Sequence, residues 1–382
     1  MEQKSLSAAE SGSENEVIRL KWNEHIRLRP YMYLFYNLGL GEEEEDLGYS
    51  VYTLLKSVID DAVFEYVKGF GNNITVSISD TTASVRDFGR GYPLRVILKN
   101  VCRYTYNNTP LFRGRFEEDI FPKDIIHMYT RVHVVNALSA NFYVASYYDG
   151  LCSWASCSEG VLVGSGTMES DEQDGTFISF TPDRKIFENY SFKMSLVEQM
   201  IRFYCCMRKG LTIILNGTKY SSNNGLLDLF NEKLTIVPLY TPIYLKGDDI
   251  EIVITHTSIN QPMYYSYVNG HFTKDGGTHQ ASLKRAITRT FKRIFGKQYT
   301  TERCHRGVTA AVSIHILDAG FENSMQTILG SRYMYDWPWR GRDHIGPTID
   351  KYISRFIGER LPLYFSRHQN IYQIIKDLLI AD

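Results

Sequence analysis

The chain has 382 residues, 43% of them hydrophobic and 22% charged, which is enough for two domains with sizeable cores and excludes a disordered composition. A formal net charge of −1 gives no global electrostatic case for nucleic acid, and no apolar run reaches membrane-spanning length. The six cysteines are scattered without C-x-x-C or metal-ligand spacing, which fits a reduced, cytoplasmic protein.

MEQKSLSAAESGSENE at the N-terminus is polar and acidic and reads as a flexible or partner-ordered arm rather than a signal peptide. Val17–Arg29 has the pattern of a short helix that stops before Pro30. After a charged loop, Gly39–Gly48, the span Tyr49–Phe70 repeats Val51, Leu54, Leu55, Val58, Ile59, Ala62 and Val63 at helical spacing on one broad face. NITVSISD and TASVRD alternate as strands around a turn, and Gly89, Gly91 and Pro93 then break the pattern into a loop. Tyr92–Phe121 reads as irregular, aromatic chain. A helix at VHVVNALS leads into strands NFYVASYYDG, LCSWASCSEG, VLVGSGT and DGTFISFTPD (Asp174–Asp183), then a helix over Ser195–Lys209 and the strand LTIILNG. From about Leu234 the pattern restarts, which places a domain boundary near Tyr220–Pro238. IEIVITHT, MYYSYVNG and VTAAVSIHIL read as strands, Ala281–Phe295 as a helix charged on one side, and the region from Ile345 as helices packed on themselves or on a partner. The expected organisation is an arm (1–16), a first domain (17–220) and a second domain with C-terminal helices (221–382), of α+β class.

Two segments carry a specific signal. SVRDFGRGYPL (Ser84–Leu94) contains D-x-G-x-G, and TLLKSVIDDAVFEYVKGFG (Thr53–Gly71) stands upstream of it as a helix. RLRPYMYL (Arg27–Leu34), VNALS, DGTFISF, NGHFTKDGGTH (Asn269–His279) and AGFENSMQTILGS (Ala319–Ser331) follow in a matching order. Over nearly its whole length the chain resembles the ATPase and transducer regions of bacterial DNA gyrase B and topoisomerase IV B (ParE). These belong to the GHKL, or Bergerat-fold, ATPases, together with Hsp90, histidine kinases and MutL. The resemblance implies a GHKL-type α/β sandwich followed by a ribosomal-S5-like transducer domain. No toprim motif of the E-G-D-S-A or D-x-D type is evident, and the strand-cleaving tyrosine of these enzymes lies on their other subunit, so DNA cleavage by this chain alone is not expected.

The adenine corner is legible. Asp87 ends a strand before a glycine turn, where a carboxylate accepts a hydrogen bond from an adenine amino group and Gly91 lets the ring approach the backbone. Thr176 matches the family threonine that shares a water with this aspartate. A turn-capping Asp and an ordinary strand Thr are the plainer alternative. Glu65 matches the family glutamate that pairs with the arginine of D-x-G-R-G, here Arg90, in a wall that also holds Gly89 and Pro93.

The phosphate chemistry is missing at three places. In the family helix pattern E-x-x-D-N-x-x-D-E the first glutamate is the general base, and that position is Ser57, so no catalytic residue is assigned. Loss of a general base costs ~10²–10⁴-fold in rate. The Mg²⁺-holding asparagine becomes Asp61, which still suits Mg²⁺. The next aspartate becomes Phe64, either facing a polar pocket or repacked into the core. The glycines of the family's phosphate loop fall at Ile125, Ile126, Tyr129 and Arg131, where a positive φ costs a non-glycine residue ~1–2 kcal/mol. The γ-phosphate lysine becomes Gln326 or, with a two-residue slip, Ile328; neither neutralises a phosphoryl group.

These substitutions imply a non-catalytic, pseudo-ATPase paralogue that acts as a homodimer, or as a heterodimer with a related B subunit or another protein, and modulates DNA topology. No cofactor is implied beyond weak adenine-nucleotide binding, and Mg²⁺ is not expected. Three alternatives remain. One is a divergent but active ATPase using Asp60 or Asp61 as base and Arg131 with His127 as cradle. Another is a DNA-associated clamp using Lys284, Arg285, Arg289, Lys292 and Arg293, whose blander reading is a solvated helix face. The third is an adenine-ligand sensor built on Asp87 and Thr176. His127, His133, His271, His279, His305 and His315 show no metal-ligand spacing, and His279 reads as a structural turn residue.

Overall fold

A computed structural model describes residues 20–34, 51–102, 131–316, 319–323, 325–335 and 346–380. The N-terminal arm, the charged loop Gly39–Gly48 and the positions Ile125, Ile126, His127, Tyr129 and Ser324 lie outside these residues.

Helix α1 (Trp22–Leu28) and a 3₁₀ turn (Pro30–Met32) precede α2 (Val51–Val67). The broad apolar face of α2 is buried as its spacing predicts, and the helix packs on a mixed sheet. That sheet contains β1 (Asn73–Ile78), β2 (Ala83–Asp87), β3 (Ser139–Tyr148), β4 (Leu151–Ser158), β5 (Val161–Glu169), β6 (Gly175–Pro182), β7 (Thr212–Leu215) and β8 (Thr218–Tyr220). Its strand order is β5-β4-β3-β6-β2-β1-β7-β8, and β1 and β7 run parallel. Alternation puts Ile74, Val76 and Ile78 of β1 and Ala83, Val85 and Asp87 of β2 on the covered face. Asp87 is therefore delivered to the core side by the same period that buries Val85.

Helices α3 (Leu94–Asn100), α4 (Val132–Ala137) and α5 (Met194–Met207) complete this layer. The stretch after Tyr92 begins with a helix instead of irregular chain. Pro93 is the N-cap of α3 at φ −67°, and Val96, Ile97 and Leu98 are buried. The proline that reads as a breaker starts the helix, and seven residues are too few to show a period.

Within the expected boundary segment lies α6 (Leu226–Lys233), preceded by a turn in which Ser222 Oγ and Asn224 N donate to Asp228 at 2.7 and 3.0 Å. The second sheet, ordered β12-β11-β13-β10-β9, contains β9 (Ile243–Lys246), β10 (Ile250–His256), β11 (Met263–Val268), β12 (His271–Phe272) and β13 (Val308–Ile314). α7 (Thr278–Phe295), α8 (Thr301–His305), α9 (Ile349–Arg367) and α10 (Gln369–Ile380) share its apolar core. Phe203 and Cys206 of α5 pack with Leu226, Leu229 and Phe230 of α6 and Tyr267 of β11, joining the two halves through an apolar contact.

The basic stripe of α7 is exposed but largely engaged within the chain. Arg285 and Arg289 hold the two carboxylate oxygens of Asp350 at 2.6 and 2.8 Å, Arg293 donates to the Gly358 carbonyl, and Lys284 lies 4.6 Å from the Tyr264 ring centroid. Four of the five candidate DNA contacts are thus directed at protein groups, three of them on α9. The fifth, Lys292, is partly exposed near the end of the helix.

Candidate nucleotide site and its neighbours

Helix α2 presents two neighbouring stripes of polar residues at intervals of four. Ser57, Asp61 and Glu65 form one, and Lys56 and Asp60 the other. The first turns toward the end of β2 and the glycine turn that follows it.

At that turn Glu65 is almost fully buried. Its Oε2 accepts from the Arg90 backbone N–H at 3.0 Å and from Arg90 Nε at 3.1 Å, and its Oε1 from Arg90 Nη2 at 2.8 Å. A Cβ on Gly89 would approach Glu65 to 2.7 Å, so glycine is required for the carboxylate to lie against the chain. Gly91 has φ +67°, and a Cβ there would collide with the Tyr147 carbonyl oxygen. Tyr92 N donates to Ser146 Oγ at 2.7 Å, tying the turn to β3.

Asp87 Oδ1 accepts from the backbone N–H groups of Gly89 at 2.8 Å and Thr176 at 3.2 Å. Burial raises its carboxyl to about 6 despite these donors. Asp87 and Thr176 line one small cavity with Val58, Asp61, Ala62, Val85 and Ile178; its volume is about 10 Å³, near that of one water molecule. Asp61 is driven far above the usual carboxylate range by burial, with Asp60, Asp87 and Glu65 adding repulsion.

Ser57 is buried, and its Oγ donates to the Thr53 carbonyl at 2.9 Å within its own helix. Lys56 Nζ reaches both oxygens of Asp60, at 3.0 and 2.8 Å, and Tyr204 O–H donates to the same carboxylate. Burial pushes the Asp60 carboxyl up, but the nearby Lys56 and His271 outweigh it and hold the group below the usual range. His271, on β12, is lowered to about 4 by burial and by Lys56, Arg208 and Arg131. Phe64 packs against the first core and does not line the cavity, and Lys68 Nζ sits 5.3 Å from its ring centroid.

Arg131 is the N-cap of α4 and lies close enough to His271 to depress it, on the side of the second sheet. Gln326 has φ +57° in a turn closed by Asn323 and Thr327. Neither residue lines the cavity beside Asp87. Among the described residues no group of three or more His, Cys, Asp or Glu side chains is placed to hold a metal ion. The Lys56–Asp60–Tyr204 cluster is not evident from sequence. The i,i+4 spacing of Lys56 and Asp60 is visible, but Tyr204 enters from α5 with no local signal.

The cavity, helix and glycine turn make the first half a GHKL-type ATPase fold, followed by a transducer-like second half. The family described as DNA gyrase B matches residues 220–337. The DNA topoisomerase 4 B subunit of Borreliella burgdorferi is 33% identical over 345 residues, covering 90% of this chain and 55% of that protein. The DNA gyrase B subunit of Archaeoglobus fulgidus is 27% identical over 340 residues, covering 80% of this chain and 51% of that protein. The chain spans about half the length of these curated relatives. The 43K ATPase domain of Thermus thermophilus gyrase B, solved with an aminocoumarin, superposes with TM-score 0.67 at 21% identity, covering 94% of this chain and 93% of that one. By sequence and fold, the chain is related to the ATPase region of type II topoisomerase B subunits. Among the described residues no helix is long and apolar enough to cross a membrane.

The buried pair and the buried carboxyl each have a measurable consequence. Glu65→Ala removes the buried carboxylate that accepts three N–H donors of Arg90 and lowers unfolding stability by about 3 kcal/mol, with Glu65→Gln losing less; urea denaturation measures both. The folded state binds the Asp87 proton more tightly than the unfolded chain does. Its contribution therefore favours folding below about pH 4 and is lost as pH rises through 6. The stability of the native protein relative to Asp87→Asn should fall by on the order of 3 kcal/mol between about pH 4 and pH 7. A pH-independent difference would contradict the raised carboxyl.

Proposed function

We propose that the chain is a non-hydrolysing counterpart of the type II topoisomerase B-subunit ATPase region. It works as a cytoplasmic dimerisation or partner-binding module that modulates DNA topology, paired with a second copy or with a related B subunit. The observation that carries this reading is Ser57, at the general-base position, with its hydroxyl donating to Thr53 O at 2.9 Å and no water-activating carboxylate in its place. The nearby acids do not substitute for it. Asp60 is paired with Lys56 and accepts from Tyr204, and burial with the nearby Asp60, Asp87 and Glu65 pushes the Asp61 carboxyl well above the usual range. The relatives' names, gyrase B and topoisomerase 4 B, support the DNA-topology setting. A second reading, an adenine-ligand sensor, is favoured by the Asp87–Thr176 corner, whose cavity must widen to admit a purine.

Steady-state phosphate release from ATP and Mg²⁺ tests the reading. The expected rate equals that of a protein-free control, and Ser57→Glu alone does not raise it, because the base is one of several missing parts. Turnover abolished by Asp60→Asn or Asp61→Asn would identify a displaced base and an active enzyme.

A further inference from the structure

A second cavity, of about 200 Å³, lies where the two halves of the chain meet. Tyr66 of α2 and the residues that end α5, Met207, Arg208 and Lys209, form one wall. The β9–β10 turn, with Asp248 and Asp249 at its tip, forms the other, beside His315 after β13.

The walls carry opposite charge. Arg208 is the C-cap of α5 and half-buried, and burial lowers its guanidinium. Its Nη2 donates to the Asn269 carbonyl at 2.6 Å and its Nη1 lies 3.5 Å from His315 Nε2, but it makes no ion pair among the described residues. Asp60, the carboxylate that most supports its charge, already holds Lys56. Arg208 adds to burial in lowering both His271 and His315. On the acidic wall the positions are fixed. Gly247 N donates to the Ile250 carbonyl at 2.7 Å, closing the turn, and the Asp249 carbonyl accepts from His315 N at 2.9 Å. Tyr335 O–H donates to the Asp249 carboxylate, and Asp248 is exposed. Lys246 and Glu251 satisfy each other at 3.1 Å. Arg208 and Lys209 thus face Asp248 and Asp249 across the cavity, and among the described residues no ion pair joins the two walls.

A guanidinium short of a carboxylate favours a planar, two-oxygen acceptor. A phosphate dianion would bring surplus negative charge toward Asp248 and Asp249, and a simple amine would meet Arg208. A molecule with a carboxylate at one end and an ammonium at the other is repelled by neither wall. Met207, Ile250 and the Tyr66 ring supply apolar surface beside the charged groups.

We propose that this junction cavity binds a small zwitterion, a free amino acid, with its carboxylate on Arg208 and Lys209 and its ammonium on Asp248 and Asp249. The occupant touches both halves of the chain and ties them together.

The test is calorimetric titration of the full chain with L-leucine, with N-acetyl-L-leucine, which lacks the ammonium, and with L-leucinamide, which lacks the carboxylate. L-leucine should bind, and each derivative should bind about tenfold more weakly or worse. Asp248→Asn should weaken L-leucine about tenfold while leaving N-acetyl-L-leucine no weaker, and Arg208→Gln should weaken L-leucine about tenfold while leaving L-leucinamide no weaker. Asp248 is exposed, so its variant decides the matter even where Arg208→Gln disturbs folding. No L-leucine binding into the millimolar range, either derivative binding as tightly as L-leucine, or an unchanged L-leucine affinity in Asp248→Asn would overturn the proposal.

Discussion

A single buried carboxylate holds the site together. Glu65 reaches from α2 across to the turn after β2 and accepts three N–H donors from Arg90, one of them backbone. A buried charge is tolerable only with its hydrogen bonds filled, so the helix and the turn are fixed relative to each other. Gly89 and Gly91 are consequences of that contact. The first leaves room for the carboxylate and the second lets the chain pass the Tyr147 carbonyl. Asp87 inherits its place from this frame, at the end of a strand whose alternation already faces the core.

On the proposed reading, the frame is kept while the chemistry it would serve is lost. One turn from Glu65, Asp61 lies among like charges; another turn back, Ser57 bonds its own helix. On the adjoining stripe, Lys56 and Asp60 form an ion pair capped by Tyr204 of α5, close to His271 of the second sheet. The polar face of α2 is therefore devoted partly to holding the cavity wall and partly to the junction between the two halves. Apolar packing of Phe203 and Cys206 against Tyr267 reinforces that junction without a ligand. Coupling between the halves thus has a protein-only component, which suits a module whose contacts do not wait on phosphoryl transfer.

Much of this is legible in the sequence, for identifiable reasons. The resemblance carried by D-F-G-R-G and the helix before it singles out Asp87, Glu65 and Arg90, which the fold brings to one turn, and the long periodic face of α2 makes its helix plain. The features that escape are short or non-local. α3 is seven residues long and starts at a proline that reads as a breaker, and α6 sits in a segment whose Ser, Asn and Gly content suggests only a connection. The charges of α7 look like a surface stripe because sequence cannot show that Asp350, more than sixty residues on, lies opposite Arg285 and Arg289. Sequence leaves Phe64 between pocket and core, and in the folded chain it packs on the core.

The most direct measurement is calorimetric titration of the full chain with Mg²⁺ and a non-hydrolysable ATP analogue. The expected result is no saturable heat attributable to the triphosphate into the millimolar range. Micromolar binding that depends on Mg²⁺ and on the γ-phosphate would contradict the central claim that the frame is kept without its phosphate machinery.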